Sequence, residues 1–327
     1  MLQKAGRLAV MAMLAVAAIA TTARAQTAAT YPDRPVRMIV GFPAGGATDI
    51  VARIIAEKLA AAWGKPVVVE NFAGAAGMTG TAQGLKAAAD GYTITSIVGT
   101  TTTLLANLRS KIPYDPLNDY EPLALVTVFP NMLVVRNEIP AKTVQELIDL
   151  LKANPGKYTF ASTGFGSSVH IAGEWFKKAT GADMLHVPFT GSSAALPALL
   201  GGHVDMEFDT MPTVLPPVQS GQLRALGVGT LTRVPAAPDI PAIAETIPGF
   251  DVASWEGFVV PKGTPADIQK KIADAIIEAM KDPTVVERFN AVGALPVVKG
   301  PDEFKAFMKA DYEKWQRVTK ETGIKID

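Results

Sequence analysis

The 327-residue chain carries 31 Lys and Arg against 31 Asp and Glu, is 48% hydrophobic, and has no cysteine. The balanced charge excludes a strongly basic nucleic-acid surface, and the missing cysteine excludes disulfides, thiolate nucleophiles and Cys-based zinc or iron–sulfur sites. A core of small and branched apolar residues must hold such a chain, most naturally as two domains.

At the start, Lys4 and Arg7 precede an apolar stretch over 8–20 and the small-x-small triplet Ala23-Arg24-Ala25. That pattern reads as a cleavable export signal over 1–25, too short and wrongly flanked to span a membrane. The expected mature protein is soluble and periplasmic. From there strand-like and helix-like patterns alternate: 36–42 strand, 48–63 helix, 67–71 strand, 78–88 helix and 93–98 strand. Residues 123–135 form a long apolar run that Pro130-Asn131 is expected to break. A second series follows: 143–152 helix, 158–162 strand, 167–180 helix, 185–187 strand, 192–200 helix, 204–208 strand, 213–220 short helix and 223–229 strand. After the strand-like 255–261 the chain reads as helical over 265–281, 285–292 and 302–321, with Pro265 and Pro301 at helix starts. β-branched runs bounded by Gly and Pro, alternating with 3.6-residue periodicity, predict βαβ units and a mostly parallel sheet. Both ends of the second series meet a long apolar strand, so 123–135 and 251–261 are expected to cross between two α/β lobes. The expected division is 26–127 with 256–327 as a discontinuous first lobe and 128–255 as the second.

Two segments are built alike. Arg37 to Asp49 reads RMIVGFPAGGATD, and Tyr158 to His170 reads YTFASTGFGSSVH. Each is an apolar run, a turn of Gly and small polar residues, then an amphipathic helix. Such a junction aims unpaired backbone N–H groups and the positive end of a helix dipole at one spot. A structural βα turn is the plainer reading of either copy alone; two copies suggest two anion cradles facing one cleft. Thr190-Gly191-Ser192-Ser193, Gly74-Ala75-Ala76-Gly77 and Gly99-Thr100-Thr101-Thr102-Thr103 add similar junctions. Turns at the carboxyl ends of parallel strands line the crevice of an open α/β sheet.

His170 and Glu174 stand four apart, as metal pairs do, but a structural or ligand-facing imidazole is favoured over a metal ligand. Asp209 ends a strand, where it either caps the next helix or meets a ligand hydroxyl or amino group. Enzyme templates are missing: Gly166-Ser167-Ser168 and Gly191-Ser192-Ser193 lack the closing glycine of a nucleophile elbow, and no nucleotide-binding glycine loop occurs. Neither cradle contains Arg, which points to a carboxylate held by neutral donors and dipoles.

At these residues the chain resembles the Bug-type extracytoplasmic receptors of tripartite tricarboxylate transporters. The resemblance runs from Tyr31-Pro32-Asp33-Arg34-Pro35 and Phe42 to Asp49 through Asp90-Gly91-Tyr92-Thr93, Thr163-Gly164 to His170, His186-Val187-Pro188-Phe189, Gly201-Gly202-His203-Val204-Asp205 and Trp255-Glu256-Gly257. It implies an α/β type II periplasmic-binding-protein fold, two lobes closing on one small carboxylated solute. By the resemblance, Phe42, Ala44, Gly45, Gly46 and Asp49 belong to a first cradle. Ser162, Thr163, Gly166, Ser167, Ser168 and His170 belong to a second, with Thr100, Gly191, Ser192 and Asp209 as further contacts. Phe42, Phe165, Phe208 and Met211 are nominated as apolar walls. The implied protein is a monomeric receptor, not an enzyme, with no cofactor, metal or nucleic acid. It captures a di- or tricarboxylate, an aromatic carboxylate or an acidic amino acid and passes it to membrane permease subunits. Passing occupancy to a two-component signalling partner is the second reading, and an exported hydrolase or lyase the least favoured.

Overall fold

A computed structural model describes residues 30–322; the export signal expected over 1–25 lies outside the described residues. Ten strands form one curled sheet in the order β2-β1-β3-β9-β4-β7-β5-β6, with β8 and β10 also paired to β4. In chain order these are β1 (Val36–Val40), β2 (Val67–Asn71), β3 (Thr93–Val98), β4 (Tyr120–Arg136), β5 (Thr159–Ser162), β6 (Leu185–Pro188), β7 (Met206–Thr210), β8 (Leu223–Val228), β9 (Ala253–Pro261) and β10 (Leu295–Lys299). The helices are α1 (Ala47–Trp63), α2 (Met78–Leu85), α3 (Leu105–Leu108), α4 (Val144–Ala153), α5 (Ser168–Thr180), α6 (Ser192–Leu200), α7 (Met211–Gln219), α8 (Ala266–Ala279), α9 (Pro283–Ala291) and α10 (Pro301–Thr322).

The flanks of the sheet are parallel: β1 with β2 and β3, β5 with β6 and β7. The strands between them run antiparallel, because β9 returns beside both β3 and β4. On one flank Val36, Met38 and Val40 of β1 pack with Val51, Ile55 and Leu59 of α1 and with Ile268, Ile272 and Ile276 of α8. The 3.6-residue spacing in both helices turns one apolar stripe to the sheet. On the other flank Phe160, Leu147, Leu151, Val169, Phe176 and Phe208 make the matching core. Burying each such side chain contributes about 1.5–3 kcal/mol.

The expected break at Pro130-Asn131 is not a break. β4 is one 17-residue strand. Pro130 faces Ala253 at the end of β9, and the next residue, Asn131, faces Thr210 of β7. The missing proline N–H thus falls where β4 changes partners and costs no internal ladder bond. The return crossing lies just before β9: the Gly229 N–H donates to the Asn131 carbonyl and the Val252 N–H to the Gly229 carbonyl, both at 2.6 Å. A Cβ on Gly229 would stand 2.7 Å from the Val252 carbonyl, so only glycine admits this approach. Helix α10 then runs across both flanks. Phe304 and Met308 pack with Trp255 and Val259, while Trp315 joins the cluster of Phe160 and Phe208.

Candidate functional site

Four helices begin at one cleft between the flanks. Phe42, Pro43, Gly46, Ala47, Thr48, Val98 and Thr100 line one side, Thr163, Ser168, Val169, Ser192, Asp209 and Thr210 the other, and Phe129 and Ser254 come from β4 and β9. The cleft encloses about 490 Å³ counting its open mouth, a volume suited to a small metabolite.

The first turn of α1 forms one edge. Its N-cap, Gly46, is extended and supplies no side-chain cap, so the first N–H groups of the helix lack an intrahelical partner. Asp49, in the same first turn, does not cap the helix. Its Oδ2 accepts from the Gly45 N–H and from Arg53 Nε, and its Oδ1 from Asn71 Nδ2, each at 2.9 Å. Burial opposes ionisation of Asp49, but the bonds from Arg53, Gly45 and Asn71 together hold its pKa below the usual value. Asn71 also donates to the Phe42 carbonyl at 2.9 Å. The carboxylate therefore fixes the shape of the turn, and Arg53 offsets its charge.

The facing edge is made by α5, α6 and α7. Ser167 caps α5, accepting from the His170 N–H at 3.2 Å and donating to the Gly164 carbonyl at 2.8 Å. The Ser168 N–H reaches across the cleft to Thr100 Oγ1 at 3.2 Å. Ser192, first residue of α6, donates to Asp209 Oδ1 at 2.9 Å, and the same oxygen takes the Thr210 N–H at 2.6 Å. Asp209 Oδ2 is buried and has no hydrogen-bond partner among the described residues. Burial raises the Asp209 pKa against the hydrogen bonds from Ser192 and Thr210. Glu207, beside it and fully buried, is pushed well above the usual carboxylate range by burial and then by Asp209. A carboxyl that readily keeps its proton can donate to an anion or accept from a hydroxyl.

Behind the second turn the imidazoles of His170 and His186 stack at 4.1 Å. His170 Nδ1 accepts the Gly166 N–H at 3.1 Å, and His186 Nε2 pairs with Ser162 Oγ at 2.6 Å. Burial foremost lowers their pKa values, to about 3 for His170 and about 4 for His186. Both rings are neutral near pH 7 and support the turn as uncharged hydrogen-bonding plates.

Of the residues nominated from sequence, Phe42, Gly46, Thr100, Thr163, Ser168, Ser192 and Asp209 meet at the cleft. Ala44 and Gly45 are exposed on the turn. Asp49, Ser162, Gly166, Ser167 and His170 do not line it and brace its turns from behind. Gly191 touches the opposite lip, where a Cβ would stand 2.8 Å from the Pro43 ring. Phe208 and Met211 belong to the core, and Phe165 lines an adjoining cavity. Sequence reasoning missed Val98 and Thr210, although both end strands that feed helices, the position that marks a crevice. It also missed Phe129 and Ser254, whose exposure to the cleft follows from the crossing of β4 and β9.

The family model for the tripartite tricarboxylate transporter family receptor matches residues 51–324. The protein BugT of Bordetella pertussis is 40% identical over 304 residues, covering 92% of this chain and 93% of its own. Among solved structures, a Rhodopseudomonas palustris protein with adipate superposes at a TM-score of 0.87 with 30% identity, covering 90% of this chain and 99% of its own. MatC from the same organism, with bound malate, gives a TM-score of 0.82 with 31% identity over 88% of this chain and 99% of its own. The periplasmic-binding-protein fold, the paired turns and the whole-length match agree: the chain belongs to the tripartite tricarboxylate transporter receptor family, a family of periplasmic solute-binding proteins and not an enzyme class.

Proposed function

We propose that this protein is exported, matures by loss of residues 1–25, and captures a small organic carboxylate that it delivers as a monomer to membrane permease subunits of a tripartite tricarboxylate transporter. The observation that carries the reading is the convergence of four helix N-termini on one cleft whose lining has no basic side chain. Backbone N–H groups and helix dipoles favour an anion there without an ion pair. Adipate and malate in the two relatives are carboxylates of this kind. The lobes are 26–127 with 256–327 and 128–255. Solute contacts on both lips stabilise the arrangement in which the lobes meet, and no covalent step is involved.

A thermal-shift panel of mono-, di- and aromatic carboxylates tests this. A ligand at about a hundredfold excess over Kd stabilises by about 2.7 kcal/mol. A neutral sugar that shifts the midpoint while every carboxylate fails overturns the reading. Gly46→Val is the matching variant. A Cβ at Gly46 meets only the Pro43 carbonyl at 3.6 Å, an ordinary contact, so the fold tolerates it while the branched side chain obstructs the cradle. Calorimetry should show binding lost with the melting temperature kept.

A further inference from the structure

A second cavity opens between the same two lips. It holds about 780 Å³ counting its mouth, and it shares Phe42 and Thr163 with the cleft, so the two adjoin along one groove. Arg109 stands in its wall, which Phe165 and Phe189 also line. The backbone of Arg109 is fixed at the end of α3, its N–H donating to the Leu105 carbonyl at 3.0 Å, and Leu105 and Leu108 anchor that helix in the core. The Arg109 side chain is different. Its Nε is buried with no hydrogen-bond partner among the described residues, and among those residues no carboxylate forms an ion pair with its guanidinium. A buried donor left unpaired is costly, and a guanidinium is built to take a carboxylate with two parallel N–H bonds.

We propose that Arg109 holds a second anionic group of the solute, so that the ligand is a dicarboxylate lying along the groove. This rests on the carboxylate-receptor reading above. One carboxylate sits at the converging helix starts, the chain between passes Phe42 and Thr163, and the other carboxylate pairs with Arg109. Apolar walls suit the intervening methylenes: Phe165 is 54% exposed, and Phe189 lines the same cavity. Thr100 and Arg109 lie at the two ends of one continuous helical segment, Thr100–Leu104 followed by α3, which ties the two anion sites to a single rigid element.

Calorimetric titration with chain-matched pairs tests the proposal: succinate with butyrate, adipate with hexanoate, suberate with octanoate. The wild-type protein should bind the dicarboxylate about tenfold or more tightly than its partner for at least one length. Arg109→Gln should bring that ratio to about one while the monocarboxylate Kd stays within about twofold, and Arg109→Lys should keep part of the preference. A preference that survives Arg109→Gln, or a wild-type protein that binds monocarboxylates equally well at every length, overturns the Arg109 assignment alone. Binding of neither class overturns the carboxylate-receptor reading and the assignment with it. The wild-type ratio needs no variant, and melting temperatures without ligand confirm that the variants fold.

Discussion

Glu207 has no hydrogen-bond partner for either carboxylate oxygen among the described residues, and burial keeps its proton on. A group whose pKa is raised by folding supports the fold at acid pH and weakens it as pH rises through the folded value. Glu207→Gln removes that titration with little change of shape. It should leave the melting temperature near pH 5 close to wild type and raise it at pH 8, by the equivalent of about 1 kcal/mol; a fall at pH 8 would show an ionised Glu207. The stacked histidines act with the opposite sign. The folded values, about 3 for His170 and about 4 for His186, lie below the ordinary 6.5, so the unfolded chain binds more protons between pH 6.5 and 4. Their contribution is complete above pH 6.5 and declines as pH falls toward 4, by up to about 1.4 kcal/mol per pH unit for each proton. His186→Gln keeps a partner for Ser162 and should flatten the slope of melting temperature against pH in that window. An unchanged slope would assign acid sensitivity to other groups.

Most elements were legible because their apolar spacing is strong, as in α1 and α8. Those that were not each have their own physical cause. Pro130 looked like a stop since a central strand cannot spare an N–H, but β4 switches partner there. Strand β10 was invisible because its short Leu295–Lys299 segment is only partly buried and pairs with β4 across a register shift. Thr100 to Leu104 winds as a π-turn, with Thr102 and Thr103 hydroxyls donating to the Val98 and Gly99 carbonyls; in sequence Gly99 to Thr103 read only as a junction after a strand, because four β-branched threonines carry no helical signal. Arg109, after that element, looks in sequence like an ordinary surface charge at a helix end. The glycine turn at Gly74 to Gly77 was noticed, but not that Ala75 and Ala76 take φ of 50° and 54° within it. L-residues pay about 1–2 kcal/mol in that left-handed region. Ala76→Gly should therefore raise stability by up to about 1 kcal/mol, against the usual effect of adding glycine, as chemical denaturation would reveal. A loss of stability would mean that the methyl group's contacts outweigh the strain.

At the scale of the whole molecule the paired turns placed the cleft, while the composition of its walls depended on long-range crossings that no local pattern records. The reach of α10 was also unreadable. Trp315 is 2% exposed within the cluster of Phe160 and Phe208, and seven residues earlier Met308 packs with Trp255 and Val259. Asp311 between them accepts from Trp255 Nε1 at 2.8 Å, and Lys314 pairs with Asp251 at 2.9 Å. One helix thus straps both cores together. Trp315→Ala should cost about 3–5 kcal/mol and should loosen the second core more than the first. Amide exchange would register this as faster exchange in α4 and α5 than in α1, and uniform acceleration would deny α10 its bridging role.

The close approach of Pro43 to Gly191 and the bond from Ser168 to Thr100 link the two sides of the cleft. If the proposed solute sits beside Thr48 and Ser192 between these links, its residence time depends on how often the two lips part as well as on its own contacts. Two solutes of unequal affinity would then share one slow release step, and under the proposed function the lips would time delivery.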